Sequence, residues 1–118
     1  MLRRVAAAVL LLAVPAGLAA PVPKPPRAKC PTGEWRVQFQ NGVVEACTVA
    51  EDGKAEVAEP LRTAGGQARI DGGVVVFTFD DDRTERWTPD GSRYAVEHWC
   101  PSAAYPAATP VRGVAEKR

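Results

Sequence analysis

The chain has 118 residues, 46% hydrophobic and 25% charged, with 15 Lys and Arg against 14 Asp and Glu. So even a balance offers no electrostatic attraction for nucleic acid or an anionic lipid surface. The length allows one small domain, the size class in which a disulfide often compensates for limited burial.

The first element, "MLRRVAAAVLLLAVPAGLAAPVP", has a basic start at Arg3 and Arg4, then an apolar run too short to span a bilayer, then small residues. This is the pattern of a signal peptide over residues 1–19. Cleavage after Ala19 is preferred to cleavage after Ala20, which would leave Pro21 at the new terminus. A retained anchor is the alternative, opposed by Pro15, Gly17 and the lack of a charged stop. Cys30 lies about ten residues beyond the run, too far for a lipid anchor. The protein is therefore expected to be secreted or periplasmic, without membrane insertion after cleavage. Loss of Arg3 and Arg4 leaves 13 basic residues against 14 acidic. Residues 20–32 follow as a proline-rich linker, expected to be extended and poorly packed.

From residue 33 to residue 100, short alternating runs are punctuated by turn residues, and Pro60 breaks the one helix candidate, "AEVAEPL". The expected fold is all-β: a small antiparallel meander of about seven strands, curled or partly closed into a barrel, between disordered tails. Asn41-Gly42, read as a two-residue hairpin loop, puts Trp35, Val37 and Phe39 on one face with Val44, Ala46 and Thr48. Asp52-Gly53 then adds Ala55 and Val57 to that face and turns Cys47 away from it. Gly72-Gly73 places Ala68 and Ile70 beside Val75 and Phe77.

Asp80 to Asp82 form the next loop. A two-residue loop of Asp81-Asp82 would drive Arg86 into the apolar face, whereas a three-residue loop aligns Val75 with Trp87 and leaves Glu85 across from Phe77. Three consecutive aspartates diverge, so a solvated turn is preferred to a calcium loop. A four-residue loop, Pro89 to Ser92, sets Trp87 across from Tyr94, with Val96 and His98 further along. Arg86 then lies opposite Ala95, and Thr84 opposite Glu97. Residues 101–118 are rich in alanine and proline and read as a C-terminal tail.

Cys30, Cys47 and Cys100 are an odd set for an oxidising compartment, so one disulfide and one thiol are expected. Cys30 to Cys47 would contribute roughly 3 kcal/mol, and Cys47 to Cys100 stays open. No Cys-x-x-Cys pair or His partner stands at ligand spacing, and neither a metal nor a cofactor is expected.

Gly33-Glu34-Trp35 opens the first strand as a Gly-x-Trp, and a hairpin meander follows. In this the chain resembles the lipocalin and avidin barrels, and small secreted bacterial proteins of unknown function with a lipocalin-like meander, over Gly33 to Trp99. The resemblance implies Trp35 near the closed end of a barrel-like sheet. Seven short strands and no C-terminal helix depart from the family, and an interior this small is expected to be filled by its own rings.

His98 is the sole histidine and faces inward, where Glu85 could pair with it at a rim. Cys100 two residues on makes a Cys-His enzyme conceivable, but nothing supplies an oxyanion hole. Arg83, Arg86 and Arg93 fit a solvated sheet face. The sharper alternative is a partner surface of Trp35, Arg93, His98 and Trp99. The expected function is a non-enzymatic binding or envelope-associated structural module for an unknown protein or peptide, engaged through an edge strand or the Trp99 end. A lipocalin-like carrier of a small apolar ligand is the alternative, and a His98-dependent enzyme the third.

Overall fold

A computed structural model describes residues 29–118. The segment expected to be a signal peptide and most of the proline-rich linker lie outside the described residues. The described residues form eight strands in sequence order: β1 (Gly33–Phe39), β2 (Val44–Val49), β3 (Lys54–Glu59), β4 (Arg62–Asp71), β5 (Val74–Phe79), β6 (Thr84–Asp90), β7 (Arg93–Trp99) and β8 (Val111–Lys117). Each pairs antiparallel with the next, and β1 pairs with β8, so the meander closes into a barrel.

The all-β antiparallel meander forms as expected, and closure corrects two finer readings, the C-terminal tail and the open edge. The strand count is eight, because part of the supposed C-terminal tail is β8, whose small Gly113 and Ala115 let it lie tightly against Phe39 and Val37 of β1. An edge strand open to peptide pairing is also lost, since both former rims bond to each other.

Three hairpin loops share one construction. Phe39 N–H donates to Val43 O at 2.9 Å, Ala50 to Lys54 at 2.8 Å, and Phe79 to Arg83 at 2.9 Å, leaving three residues in each loop. The last is positive in φ each time: Gly42, Gly53 and Asp82. The middle Asn or Asp accepts a backbone N–H two residues on, as Asn41 does from Val43, Asp52 from Lys54 and Asp81 from Arg83. This is a type I turn followed by a left-handed residue. The three-aspartate loop therefore forms as expected, with Val75 opposite Trp87 and Phe77 opposite Glu85.

The same construction overturns the two-residue readings at Asn41-Gly42 and Asp52-Gly53. Each extra loop residue slips the register by one, which inverts the faces of the following strand. The two slips cancel beyond β2, so Ala55 and Val57 point inward as expected. Only β2 is reversed: Glu45, Cys47 and Val49 are inside, whereas Val44, Ala46 and Thr48 are outside. In the last hairpin the loop is Gly91-Ser92, so Trp87 faces Val96 and Arg86 faces Glu97. That two-residue shift preserves the faces and sets Glu85 directly across from His98.

The interior is packed with rings. Trp35 meets Trp87 and Tyr94 edge-on at 5.7 and 5.2 Å, and Phe77 lies between Trp87 at 4.9 Å and Phe79 at 6.1 Å. Burial of such rings removes the most apolar area per residue and anchors the sheet.

Cysteines 30, 47 and 100 are all free thiols, against the expected disulfide. The inversion of β2 explains this: Cys47 points into the barrel, while the Cys30 sulfur turns toward Ala50 O at 3.8 Å, by the loop after β2.

Candidate functional site

The mouth where β1, β3, β5 and β7 end carries the charged groups. Glu45, Glu85 and His98 enter it from β2, β6 and β7, and each is buried, the two carboxylates with 0% exposure. One ligating atom from each lies within 4.8 Å of the others. The expected Glu85–His98 pair forms: Glu85 Oε2 stands 2.8 Å from His98 Nδ1, and Oε1 accepts from Trp87 Nε1 at 3.0 Å.

Arg83 Nη1 lies 3.4 Å from the other ring nitrogen, Nε2. A guanidinium can only donate, so Nε2 is the acceptor and Nδ1 carries the proton toward Glu85. Both ring nitrogens are thereby engaged. Cys100 lines the same cavity as His98, but no nitrogen of the ring is free to activate its thiol.

Glu45 sits differently. Burial pushes its pKa up to about 11, with the neighbouring Glu85 as the next contribution, so it holds a proton at neutral pH. Protonated, it has Glu85 and Glu59 beside it as acceptors; ionised, both its oxygens would lack a partner. Among the described residues the nearest cation, Arg62, is 3.6 Å away and is engaged elsewhere, with Glu59 at 2.8 Å and Asp81 at 2.6 Å. Arg83 adds a contact to Asp81 at 3.3 Å. Charges thus run in a chain from the solvated aspartate loop down to a dry acid pair. Cys47, one step deeper on β2, has its thiol pushed well above the usual range by burial and then by Glu85 and Glu45.

A cavity of about 130 Å³ opens over His98, lined also by Phe39, Val43, Glu59, Arg83 and Val111.

The four residues expected to form a partner surface do not come together. Trp35 is buried near the opposite mouth, donating to Pro31 O at 2.7 Å with Lys117 Nζ 5.0 Å from its ring. Arg93 is exposed in a hairpin at that same end, beside Asp90 and Glu116. Trp99 is on the outer wall yet only 2% exposed, because residues 100–110 fold over it: its Nε1 donates to Ala108 O at 2.7 Å and Tyr105 packs edge-on at 4.7 Å. It cannot serve as an exposed anchor. His98 alone stands at the charged mouth. Arg86 does lie on the solvated wall, bonded to Glu97 at 2.6 and 2.8 Å, whereas Arg83 belongs to the mouth.

Sequence reading missed Glu45 and Arg62. The signal for Glu45 was the Asn41-Gly42 turn, whose asparagine could have been matched to the aspartate loop already read as three residues. Arg62, inward from the start of β4, followed only from knowing where β4 begins.

No protein-family model matches the chain, and neither a curated protein nor a solved structure matches it.

Proposed function

We propose that the protein is a non-enzymatic binding module of the secreted or periplasmic space, engaging a protein or peptide partner at the charged mouth. One observation carries this reading: the interior is occupied by its own rings, and the cavity over His98, at about 130 Å³, is the size of one side chain. Small-molecule sites generally enclose about 300 Å³ or more, so the cavity over His98 is too small for the apolar-carrier reading. A side-chain-sized socket rimmed by Arg83 and Glu59 suits a single anchor residue of a partner. The absence of a free nitrogen on His98 argues against catalysis by a Cys-His pair.

A photoreactive residue at Asn41, on the socket rim, tests the proposal in cells. A discrete cross-linked adduct, lost when the socket is filled by Val43→Trp, supports it. A diffuse smear, or tryptophan fluorescence that changes on adding small apolar ligands, favours the carrier instead.

A further inference from the structure

We propose that Glu45, Glu85 and His98 form a binding site for one divalent transition-metal ion, Zn²⁺ above all, inside the charged mouth of the barrel. This goes beyond the partner reading and does not depend on it.

Three observations converge. The donor set is an imidazole and two carboxylates from three strands, with one atom of each within 4.8 Å of the others; this mixture suits zinc and its first-row neighbours rather than calcium or magnesium. Glu45, wholly buried, can pass its one proton to Glu85 or Glu59, but neither of its oxygens receives a hydrogen bond, and among the described residues no cation comes closer than 3.6 Å. Such a group is expected to find a partner. The cavity over His98 supplies a route from solvent to the ring.

Charge and geometry are compatible with an ion. Two carboxylates and a neutral imidazole balance a dication, which would take over from the Glu45 proton the task of keeping the two acids from repelling in a dry interior. Ligand atoms around tetrahedral zinc lie about 3.4 Å apart, given bonds of about 2.1 Å, so Glu85 and His98, now 2.8 Å apart, must open slightly while Glu45 closes in from within 4.8 Å. The ion would replace the proton on Glu45 and take Nδ1 of His98, whose proton moves to Nε2. Arg83, about one-third exposed, must then swing away from Nε2. Glu59 and Asp81 keep Arg62 engaged, so it does not compete strongly for Glu45. The fourth position is left to water from the cavity.

The test uses chelator-treated protein titrated with Zn²⁺ by calorimetry and with Co²⁺ by absorption. We expect one ion per chain, with proton release, and d–d bands of a Co²⁺ bound by nitrogen and oxygen. Glu45→Gln and Glu85→Gln should each weaken binding at least about 100-fold. Arg83→Ala should bind at least as tightly as the parent. Near-UV circular dichroism of the buried tryptophans reports whether each variant keeps its fold. If a variant unfolds, a Zn²⁺-dependent shift of the His98 imidazole nitrogens in the parent protein decides the matter. No uptake of either ion overturns the proposal. So does uptake undiminished in folded Glu45→Gln, which would mean scavenging by the Cys30 or Cys100 thiols, and so does an unmoved His98 signal.

Discussion

Glu85 and His98 face each other across β6 and β7, and their side chains meet at 2.8 Å inside the barrel. Glu85 also holds the Trp87 indole, so one carboxylate satisfies two buried donors. Its replacement by alanine leaves both unpaired and opens a void, and should destabilise the fold by about 2–4 kcal/mol. Glu85→Gln fills the space but presents an NH₂ group to one of the two donors, so it should lose an intermediate amount. Urea unfolding measures both, and equal stability of Glu85→Ala and parent would refute the role.

Glu45 makes stability depend on pH. Its pKa is raised from 4.5 when unfolded to about 11 when folded. Folding therefore retains a proton that the unfolded chain releases above pH 4.5. The stabilisation is full below that pH and declines as pH rises toward 11, by up to about 1.4 kcal/mol per pH unit. Glu45→Gln should flatten this slope and be more stable than the parent at pH 8. Asp81 acts in a separate, acidic window: burial raises its pKa, but the bond from Arg62 and the Arg83 backbone outweigh this and lower it below 3.8, so its contribution is lost as pH falls through that lowered value. Urea midpoints across pH, parent against Glu45→Gln, check the slope; parallel curves would count against it.

Trp99 fastens the segment that leads to β8. Arg86 lies 5.4 Å above its ring, Tyr105 packs on its edge, and Ala108 O accepts its N–H. Trp99→Ala should cost about 3–5 kcal/mol, and amide exchange along Val111–Lys117 should accelerate more than along β3. Uniform acceleration would mean that Trp99 stabilises the whole barrel without a special link to its closing strand.

The thiols should differ in reactivity. Cys100 is exposed, Cys30 half-buried and Cys47 buried with its thiolate disfavoured by burial and the nearby acids. Iodoacetamide under native conditions should label Cys100 first and Cys47 only on unfolding. Rapid native labelling of Cys47, or an oxidised Cys30–Cys47 pair in mass spectra, would contradict the packing described.

Much of the fold was legible because turn chemistry and alternation check each other. The aspartate loop was read correctly because a two-residue turn would have buried Arg86. No comparable penalty exposed the error at Asn41-Gly42, since either phase of "VEACTV" puts apolar groups inside: Val44 and Ala46, or Cys47 and Val49. The true phase buries Glu45, which no propensity argument selects; it follows from the type I geometry of the loop and is tolerated because the acid stays protonated. The eighth strand was hidden for another reason. "VRGVAEK" has only two valines and owes its place to small Gly113 and Ala115, whose fit against β1 emerges only once the barrel is closed. Glu85 and His98 were found because both fell inward on strands whose faces were assigned correctly.

Strand β8 bonds to both β1 and β7 and so completes the wall that encloses the acid pair. The unfolded chain leaves Glu45 ionised near neutrality, so closing the wall around it draws a proton from solution. A pH indicator in weakly buffered refolding mixtures would see folding as an alkaline blip, making barrel assembly a process that can be followed by its acidity.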